Sequence, residues 1–345
     1  MSRPTLITGG AGFIGTNMAS RLLDEGREVV VLDNLSRPSV RDNLQWLHEN
    51  YPHGLRMVQG DVRDAEAVRN AVRGVGEIFH FAAQVAVTTS VTDPLYDFGV
   101  NLGGTLTLLE EVRRMPTPPT LLFTSTNKVY GSLNDVRLIE GPRYEPAHAP
   151  YRDYGVAEDR PLSFCSPYGC SKGGADQYVL DFGMSYDLPT VVFRMSCIYG
   201  PHQQGNEDQG WVAHFVKRAL GHTPITLYGD GRQVRDLLYV EDLLDALQSA
   251  VASIDRLHGK AYNMGGGSEN AVSLLQVLDE IAALSGQRPE VDFDGWRIGD
   301  QRWYVSDTRR FGAATGWAPQ VDVADGIKRL YAWLEGQDCA AMAES

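Results

Sequence analysis

The chain is poor in cysteine and in long apolar runs, and its basic residues are fewer than its acidic ones. Its four cysteines, at positions 165, 170, 197 and 339 of 345, lack the spacing of metal ligands, so we predict no metal site and a reducing, cytoplasmic location. With 31 basic and 44 acidic residues the net charge is −13, which argues against nucleic acid as a partner. No apolar stretch reaches membrane-spanning length and the first residues are too few for a signal peptide, so we predict no membrane association.

What the sequence does contain is a regular alternation of short apolar runs with helical stretches. This alternation predicts an α/β fold with a doubly wound parallel sheet. Between residues 132 and 166 the pattern breaks, and so long a connection is usually functional. We predict a first domain at 1–195 and a smaller, mainly substrate-binding domain at 196–345, with a strand near 261–264 that rejoins the first. The predicted strands are Thr5–Thr8, Val29–Asp33, Arg56–Val58, Ile78–Phe81, Leu121–Phe123, Val191–Phe193 and Ile225–Tyr228.

A glycine-rich turn lies between the first strand and an amphipathic stretch. Glycine lets the backbone approach a pyrophosphate, and the helix N-terminus that follows attracts its charge. Asp33 ends the second strand, where a carboxylate can accept both ribose hydroxyls and repel a 2′-phosphate, although nearby Arg37 weakens that preference and Asp33 could instead cap a turn. We therefore predict a Rossmann-type domain that binds NAD. Its predicted contacts are Gly9, Gly12, Phe13, Ile14, Gly15, Asp33, Asn34, Asp61, Val62, Phe81, Ala82, Ala83, Asn101, Tyr168 and Lys172.

Tyr168 and Lys172 lie one helical turn apart behind Ser166, which can cap a helix whose first position is Pro167. A lysine beside a phenol favours the phenolate, so we predict that Lys172 lowers the pKa of Tyr168 toward the working pH. Thr126 follows a buried strand and can donate to the oxygen that Tyr168 protonates or deprotonates. These three residues are the predicted catalytic set, although the pair could be a surface pair and the threonine a loop cap.

With these residues in place, the chain resembles the extended short-chain dehydrogenase/reductase superfamily from Gly9 to about Trp317. The resemblance implies a bound NAD, a catalytic set that Thr126, Tyr168 and Lys172 match, and a C-terminal domain that holds a nucleotide-linked sugar. It also implies that Arg235 and Arg302 grip the diphosphate, although either could form a surface ion pair. Finally, it implies a homodimer or higher homo-oligomer that pairs the helix of Tyr168 with the helix near 103–113.

Within the superfamily, three stretches resemble the CDP-paratose 2-epimerases, also called CDP-tyvelose epimerases. They are Thr124–Gly131, Ser166–Gln177, and Ser196–Pro201 followed by Glu207–Trp211. Cys197 stands where related epimerases and dehydratases commonly carry Asn, and the 2-epimerases are expected to carry Cys. The resemblance implies a nucleotide-sugar substrate, with a CDP-sugar favoured. The substrate contacts it predicts are Thr126, Asn127, Cys197, Gln209, Arg235 and Arg302.

Asn127 and Lys128 bear on the reaction type. Sugar-nucleotide 4,6-dehydratases carry Asp-Glu after the threonine to eliminate water, and neither acid is present here. We therefore expect an NAD-dependent sugar-nucleotide epimerase that oxidises the sugar to a transient ketone and reduces it again, at C2 by resemblance. Three alternatives stay open: an epimerase for another sugar nucleotide or carbon, a net sugar-nucleotide dehydrogenase, and a non-catalytic NAD-sensing protein.

Overall fold

A computed structural model describes residues 3–297 and 299–343, so the predicted domain limits at 1 and 345 lie outside the described residues. Its strands, in chain order, are β1 (Thr5–Thr8), β2 (Val29–Asp33), β3 (Leu55–Gln59), β4 (Glu77–His80), β5 (Thr120–Thr126), β6 (Leu138–Ile139), β7 (Glu145–Pro146), β8 (Thr190–Met195), β9 (Cys197–Tyr199), β10 (Ile225–Tyr228), β11 (Val234–Tyr239), β12 (Lys260–Met264), β13 (Ala271–Ser273), β14 (Val291–Asp294) and β15 (Trp303–Tyr304).

Helices fill most of the connections between these strands. They are α1 (Phe13–Asp24), α2 (Pro38–Asn50), α3 (Ala65–Val72), α4 (Val87–Thr92), α5 (Pro94–Phe98), α6 (Gly104–Arg113), α7 (Ala149–Tyr154), α8 (Ser166–Ser185), α9 (Trp211–Leu220), α10 (Val240–Ala252), α11 (Ile254–Leu257), α12 (Leu274–Ser285), α13 (Arg309–Thr315) and α14 (Val323–Ala343). A π-helical turn (Gly99–Gly103) joins α5 to α6, and a 3₁₀ turn (Asn127–Tyr130) follows β5.

Seven parallel strands form one sheet in the order β3-β2-β1-β4-β5-β8-β12. The order reverses between β1 and β4, which is where open α/β sheets bind ligands at the carboxyl ends of their strands. The predicted doubly wound parallel sheet is therefore confirmed. Its last strand, β12, comes from far along the chain and pairs with β8 at the edge.

Alternating side chains explain why helices cover both faces of this sheet. Along β2, Val31 packs into a core cluster with α1 and α10, whereas Val30 packs into a second cluster with α3, α6 and α8. Leu122 and Leu121 divide in the same way along β5. Because successive side chains of a strand point to opposite faces, an apolar run must be buried on both sides.

A smaller unit begins directly after β8 and contains the strands from β9 onward other than β12. There β11 pairs with β9, β13 and β15, while β10 pairs with β14. Helices α9, α12 and α14 pack over these strands in a separate core cluster.

The long connection before α8 is ordered around a small hairpin, β6–β7, and the short helix α7. Its buried side chains, among them Tyr144 and Val156, share a cluster with Val234 of β11 and with Trp303 and Tyr304 of β15. The connection therefore ties the sheet of seven strands to the smaller unit. Among the helices in the described part of the chain, none is long and apolar enough to cross a membrane.

Candidate active site

The glycine-rich turn joins β1 to α1 by a path that excludes side chains. Gly9 has a φ of +67°, and a Cβ there would lie 2.8 Å from the Ala82 backbone N. A Cβ on Gly15 would lie 2.6 Å from the Cα of Gly10. No side chain caps the N-terminus of α1, so the N–H groups of its first turn, at Phe13 and Ile14, are available to an anion. The cradle fits the pyrophosphate of a dinucleotide.

The predicted ribose contact, Asp33, lies buried at the end of β2. Its carboxylate accepts hydrogen bonds from the N–H groups of Ala11, at 3.2 Å, and Leu35, at 2.9 Å. Burial raises the pKa of Asp33, and these two hydrogen bonds oppose that rise. The acid therefore holds the glycine turn against the end of β2, at the edge where a ribose would lie.

Two further predicted contacts, Asn34 and Asp61, meet at the same edge. Asn34 donates to Asp61 at 2.8 Å, and Arg63 donates to the same carboxylate at 2.8 Å, which holds the pKa of Asp61 at about 2. Val62, the next residue, is buried against Gly104 of α6, where a Cβ would lie 2.6 Å from the valine side chain. Asp61 is thus a charged acid at the edge of the sheet where the cofactor is predicted to bind.

The small residues after β4 line the other side of the turn. Phe81 directly follows β4, and the backbone of Ala82 crosses under Gly9, with Ala83 next in the chain. Asn101 lies deeper: its amide binds the backbone of Gln84 at 2.9 and 3.0 Å and the Ser171 hydroxyl at 3.1 Å. Its side chain thus joins the loop after β4 to α8, and a direct cofactor contact stays a prediction.

Helix α8 carries Tyr168 and Lys172 into the same cleft. Ser166 was predicted to cap this helix, but it is the first residue of α8 and the N-cap position falls to Cys165. Ser166 has a φ of +68°, and its hydroxyl accepts a hydrogen bond from the Gly169 N–H at 3.3 Å inside the first turn. Tyr168 is buried, and burial raises its pKa to about 12, although the Thr126 hydroxyl and the charge of Arg37 lower it. Thr126 is the last residue of β5, and its hydroxyl lies within hydrogen-bonding reach of the phenol.

Lys172 does not lower the pKa of Tyr168 as predicted. Its Nζ donates to the carbonyl oxygen of Thr124 at 2.6 Å and lies 4.1 Å from the centre of the Phe123 ring. Burial lowers the pKa of Lys172 to about 7, against the opposing charges of Asp176 and Asp97. The expectation was wrong because desolvation of the phenol outweighs every nearby charge.

On the substrate side, Cys197 and Arg235 lie near each other on the paired strands β9 and β11. The Cys197 sulfur accepts a hydrogen bond from the Trp211 indole N–H at 3.5 Å, and burial raises the pKa of the thiol. Arg235 is buried on β11 and donates to Asp300 at 2.6 Å. A guanidinium held this way can exchange its carboxylate partner for a phosphate.

The other predicted substrate contacts have different partners. Asn127 donates to Gln301 at 3.3 Å, which holds its amide beside Thr126. Arg302 lies about equally far from two aromatic rings, 5.5 Å from the centre of Tyr144 and 5.4 Å from that of Trp296. Gln209, in the loop before α9, accepts a hydrogen bond from Arg37 at 2.8 Å, so Arg37 links that loop to the segment after β2.

The comparisons with known proteins agree with this geometry. Residues 5–265 match the NAD dependent epimerase/dehydratase family. The chain belongs to this family. It is 40% identical over 339 residues to CDP-paratose 2-epimerase of Salmonella typhi, covering 95% of this chain and 98% of that protein. It is 33% identical to UDP-glucose 4-epimerase of Mycolicibacterium smegmatis, covering 94% and 96%. The solved UDP-glucose 4-epimerase of Thermus thermophilus in complex with NAD has a TM-score of 0.80 and 35% identity, covering 96% and 99%.

Two polar groups of this site, Lys128 and Asp300, were not among the contacts predicted from the sequence. Lys128 donates to the Gly299 carbonyl at 3.0 Å and lies 3.9 Å from Asp300. In the sequence, Lys128 directly follows the predicted contacts Thr126 and Asn127, and Asp300 lies two residues before the predicted contact Arg302. Proximity to predicted residues was the only signal in the sequence, because their pairing across the cleft depends on the fold.

Proposed function

We propose that the protein epimerises a nucleotide-linked sugar at C2, converting CDP-paratose to CDP-tyvelose. The observation that carries the proposal is the meeting of Tyr168 with Thr126, followed by Asn127 and Lys128. Neither of these two side chains supplies a carboxylate to eliminate water, so the arrangement favours oxidation followed by reduction. The choice of carbon and base is supported by the 40% identity to a CDP-paratose 2-epimerase.

NAD would lie between the glycine turn, the edge formed by Asp33 and Asp61, and the phenol of Tyr168. Bound there, it would supply the two-electron oxidant and reversible hydride acceptor that the reaction needs. Tyr168 takes the proton of the sugar hydroxyl and later returns it. Thr126 donates to the same oxygen and keeps it in reach while the transient ketone turns its other face.

The surroundings of Tyr168 keep this proton transfer away from water. The phenol is buried, and the positive charge of Arg37 favours its ionised form. Lys172 lies one turn along the same helix, and its Nζ is held in place by the Thr124 carbonyl. A closed cleft also protects a ketone intermediate from side reactions.

The decisive experiment incubates the NAD-loaded protein with CDP-, UDP- and GDP-sugars, including CDP-paratose, and identifies products by NMR. CDP-paratose should give CDP-tyvelose without accumulation of NADH. In heavy water the product should carry no deuterium at C2, because the hydride returns to the carbon it left. Deuterium at C2 would indicate enolisation, stoichiometric NADH would indicate a net dehydrogenase, and inactivity on every sugar nucleotide would favour a non-catalytic role.

We also propose that the protein is a homodimer formed through α8 and the helices beside it. Leu95 and Phe98 of α5 are 81% and 53% exposed, and Tyr178 of α8 is 43% exposed. Large apolar side chains at neighbouring surface positions are typical of an interface. Leu95→Asp combined with Phe98→Asp should give monomers in light scattering, whereas Phe293→Asp, which replaces an exposed residue of β14, should not. A wild-type monomer would refute the dimer.

A further inference from the structure

Lys128 is a mostly buried cation that the proposed chemistry does not use. Its side chain is 19% exposed, and its Nζ donates to the Gly299 carbonyl at 3.0 Å. It belongs to the 3₁₀ turn that starts directly after Thr126. The backbone of Lys128 is therefore tied to Thr126, whose hydroxyl accepts from its N–H at 3.2 Å, while its Nζ is fixed at the Gly299–Asp300 segment.

The charges around Lys128 do not cancel. The groups that face it are Arg235 on β11, Asp300 before β15, Cys197 on β9 and Cys165 before α8. Arg235 binds Asp300 at 2.6 Å, while Lys128 lies 3.9 Å from the same oxygen. Two cations thus share one carboxylate in a site partly removed from water, where an unmatched positive charge attracts an anion.

The substrate of a C2 epimerase carries an anion, its diphosphate, close to the reacting carbon. C2 of the sugar is bonded to C1, and C1 carries the diphosphate. When the C2 oxygen lies between Thr126 and Tyr168, the diphosphate must lie within a few bonds of it. Lys128 and Arg235 are two cations of the substrate side that lie side by side at Asp300.

We propose that Lys128 joins Arg235, which the family resemblance already assigns to the diphosphate, in binding that group, and that Asp300 holds the two cations in place until the ligand replaces it. The assignment of C2 rests on the proposed function, but diphosphate binding does not. Lys128 is accordingly a substrate-binding residue that sets the position of the sugar.

Calorimetric titration of the NAD-loaded protein with CDP and with cytidine separates the diphosphate from the base. Lys128→Met should weaken CDP binding by about 10- to 100-fold, the usual loss for a hydrogen bond to a charged group, and leave cytidine binding unchanged. Lys128→Arg should stay within a few-fold of the wild type, and Lys328→Met, at an exposed position of α14, should have no effect. An equal loss for both ligands, or no loss for CDP, would overturn the proposal.

Proton uptake gives a readout that a merely structural role would not affect. Burial and the charge of Arg235 lower the pKa of Lys128 to about 8, and a bound diphosphate should raise it. When CDP binds near pH 8.5, the protein should therefore take up a fraction of a proton at Lys128. This uptake is measured from the change of the binding enthalpy with the ionisation enthalpy of the buffer. The uptake should disappear in Lys128→Met and Lys128→Arg and persist in Cys165→Ser. Absence of uptake in the wild type would contradict the assignment.

The same titrations distinguish this inference from the proposed function. CDP, UDP and GDP are first compared on the wild type. If UDP binds most tightly, the proposed base is wrong, and the Lys128 comparison is made with UDP and uridine. If none of the nucleoside diphosphates binds, both proposals fall.

Discussion

The cofactor side and the substrate side of this cleft are built in different ways. On the cofactor side, Gly9, Gly15 and Ala82 bring backbone against backbone, so close that a Cβ would collide. On the substrate side, Lys128, Arg235 and Asp300 come from three separate elements and are joined by charge. The cofactor side should lose NAD binding when an added side chain changes the shape of the turn. The substrate side should lose affinity in steps as individual charges are removed.

The largest effect is expected where the two sides meet, at Tyr168. Tyr168→Phe removes the group that moves the proton and should lower kcat by about 1,000-fold or more, near the upper part of the range for general acid–base catalysis. Binding of NAD and CDP should change little, because the ring remains buried. Steady-state kinetics and calorimetry check both parts. Tyr178→Phe, on the exposed face of the same helix, is the control, and near-normal turnover in Tyr168→Phe would refute the assignment.

A smaller effect, confined to the cofactor side, is expected for Gly15→Ala. The new methyl would lie 2.6 Å from the Cα of Gly10, so the turn must shift. Overpacking of this kind costs about 1–3 kcal/mol of stability, and a displaced turn should weaken NAD binding by about 10-fold or more. Fluorescence titration with NAD and thermal unfolding measure these losses. Gly336→Ala, in α14 with no atom within 4 Å of the new Cβ, should be harmless. Unchanged NAD affinity in Gly15→Ala would argue that the turn does not hold the cofactor.

On the substrate side, Arg235 and Arg302 should differ. Arg235→Met removes a buried guanidinium bound to Asp300 at 2.6 Å and should raise KM by about 10- to 100-fold. Arg302→Met removes a cation that lies beside the rings of Tyr144 and Trp296 and should raise KM by only about 2- to 5-fold, as expected for a weaker cation–π contact. Kinetics on the best sugar nucleotide give both values. Equal effects would mean that Arg302 also binds the diphosphate.

The same contrast explains how much could be predicted from the sequence. The sheet was predictable because a short, mostly apolar run such as Val29–Asp33 indicates a strand that is buried on both faces. The family match also confirms the enzyme class and the NAD-dependent chemistry expected from the glycine turn and the Tyr168 motif. Lys128 and Asp300 could not be paired from the sequence, because charges from distant segments meet only in the fold. The direction of the Tyr168 pKa also required the fold, since burial decides it.

The smallest expected effect concerns His80, a buried group on the cofactor side that is held by neutral partners. Its two ring nitrogens lie 2.6 Å from the Thr8 hydroxyl and 3.0 Å from the Thr105 hydroxyl. Burial, with a contribution from Lys172, lowers its pKa to about 3. Above its ordinary value near 6.5 the histidine is neutral in both states; as the pH falls from there toward 3, only the unfolded chain takes up the proton, so the folded state loses stability.

His80→Gln should therefore cost most near pH 8, about 1–3 kcal/mol for the lost hydrogen bonds. That cost should shrink below pH 6.5 by at most about 1.4 kcal/mol per pH unit, because the variant no longer carries the titrating group. Urea midpoints at pH 8, 6 and 5 test this, with exposed His48→Gln as the control. A cost independent of pH would show that His80 takes up its proton as readily in the folded protein as in the unfolded chain. At acidic pH the cofactor side would then also contain a buried charge. Its difference from the substrate side, with Lys128, Arg235 and Asp300, would be only in the number of charges.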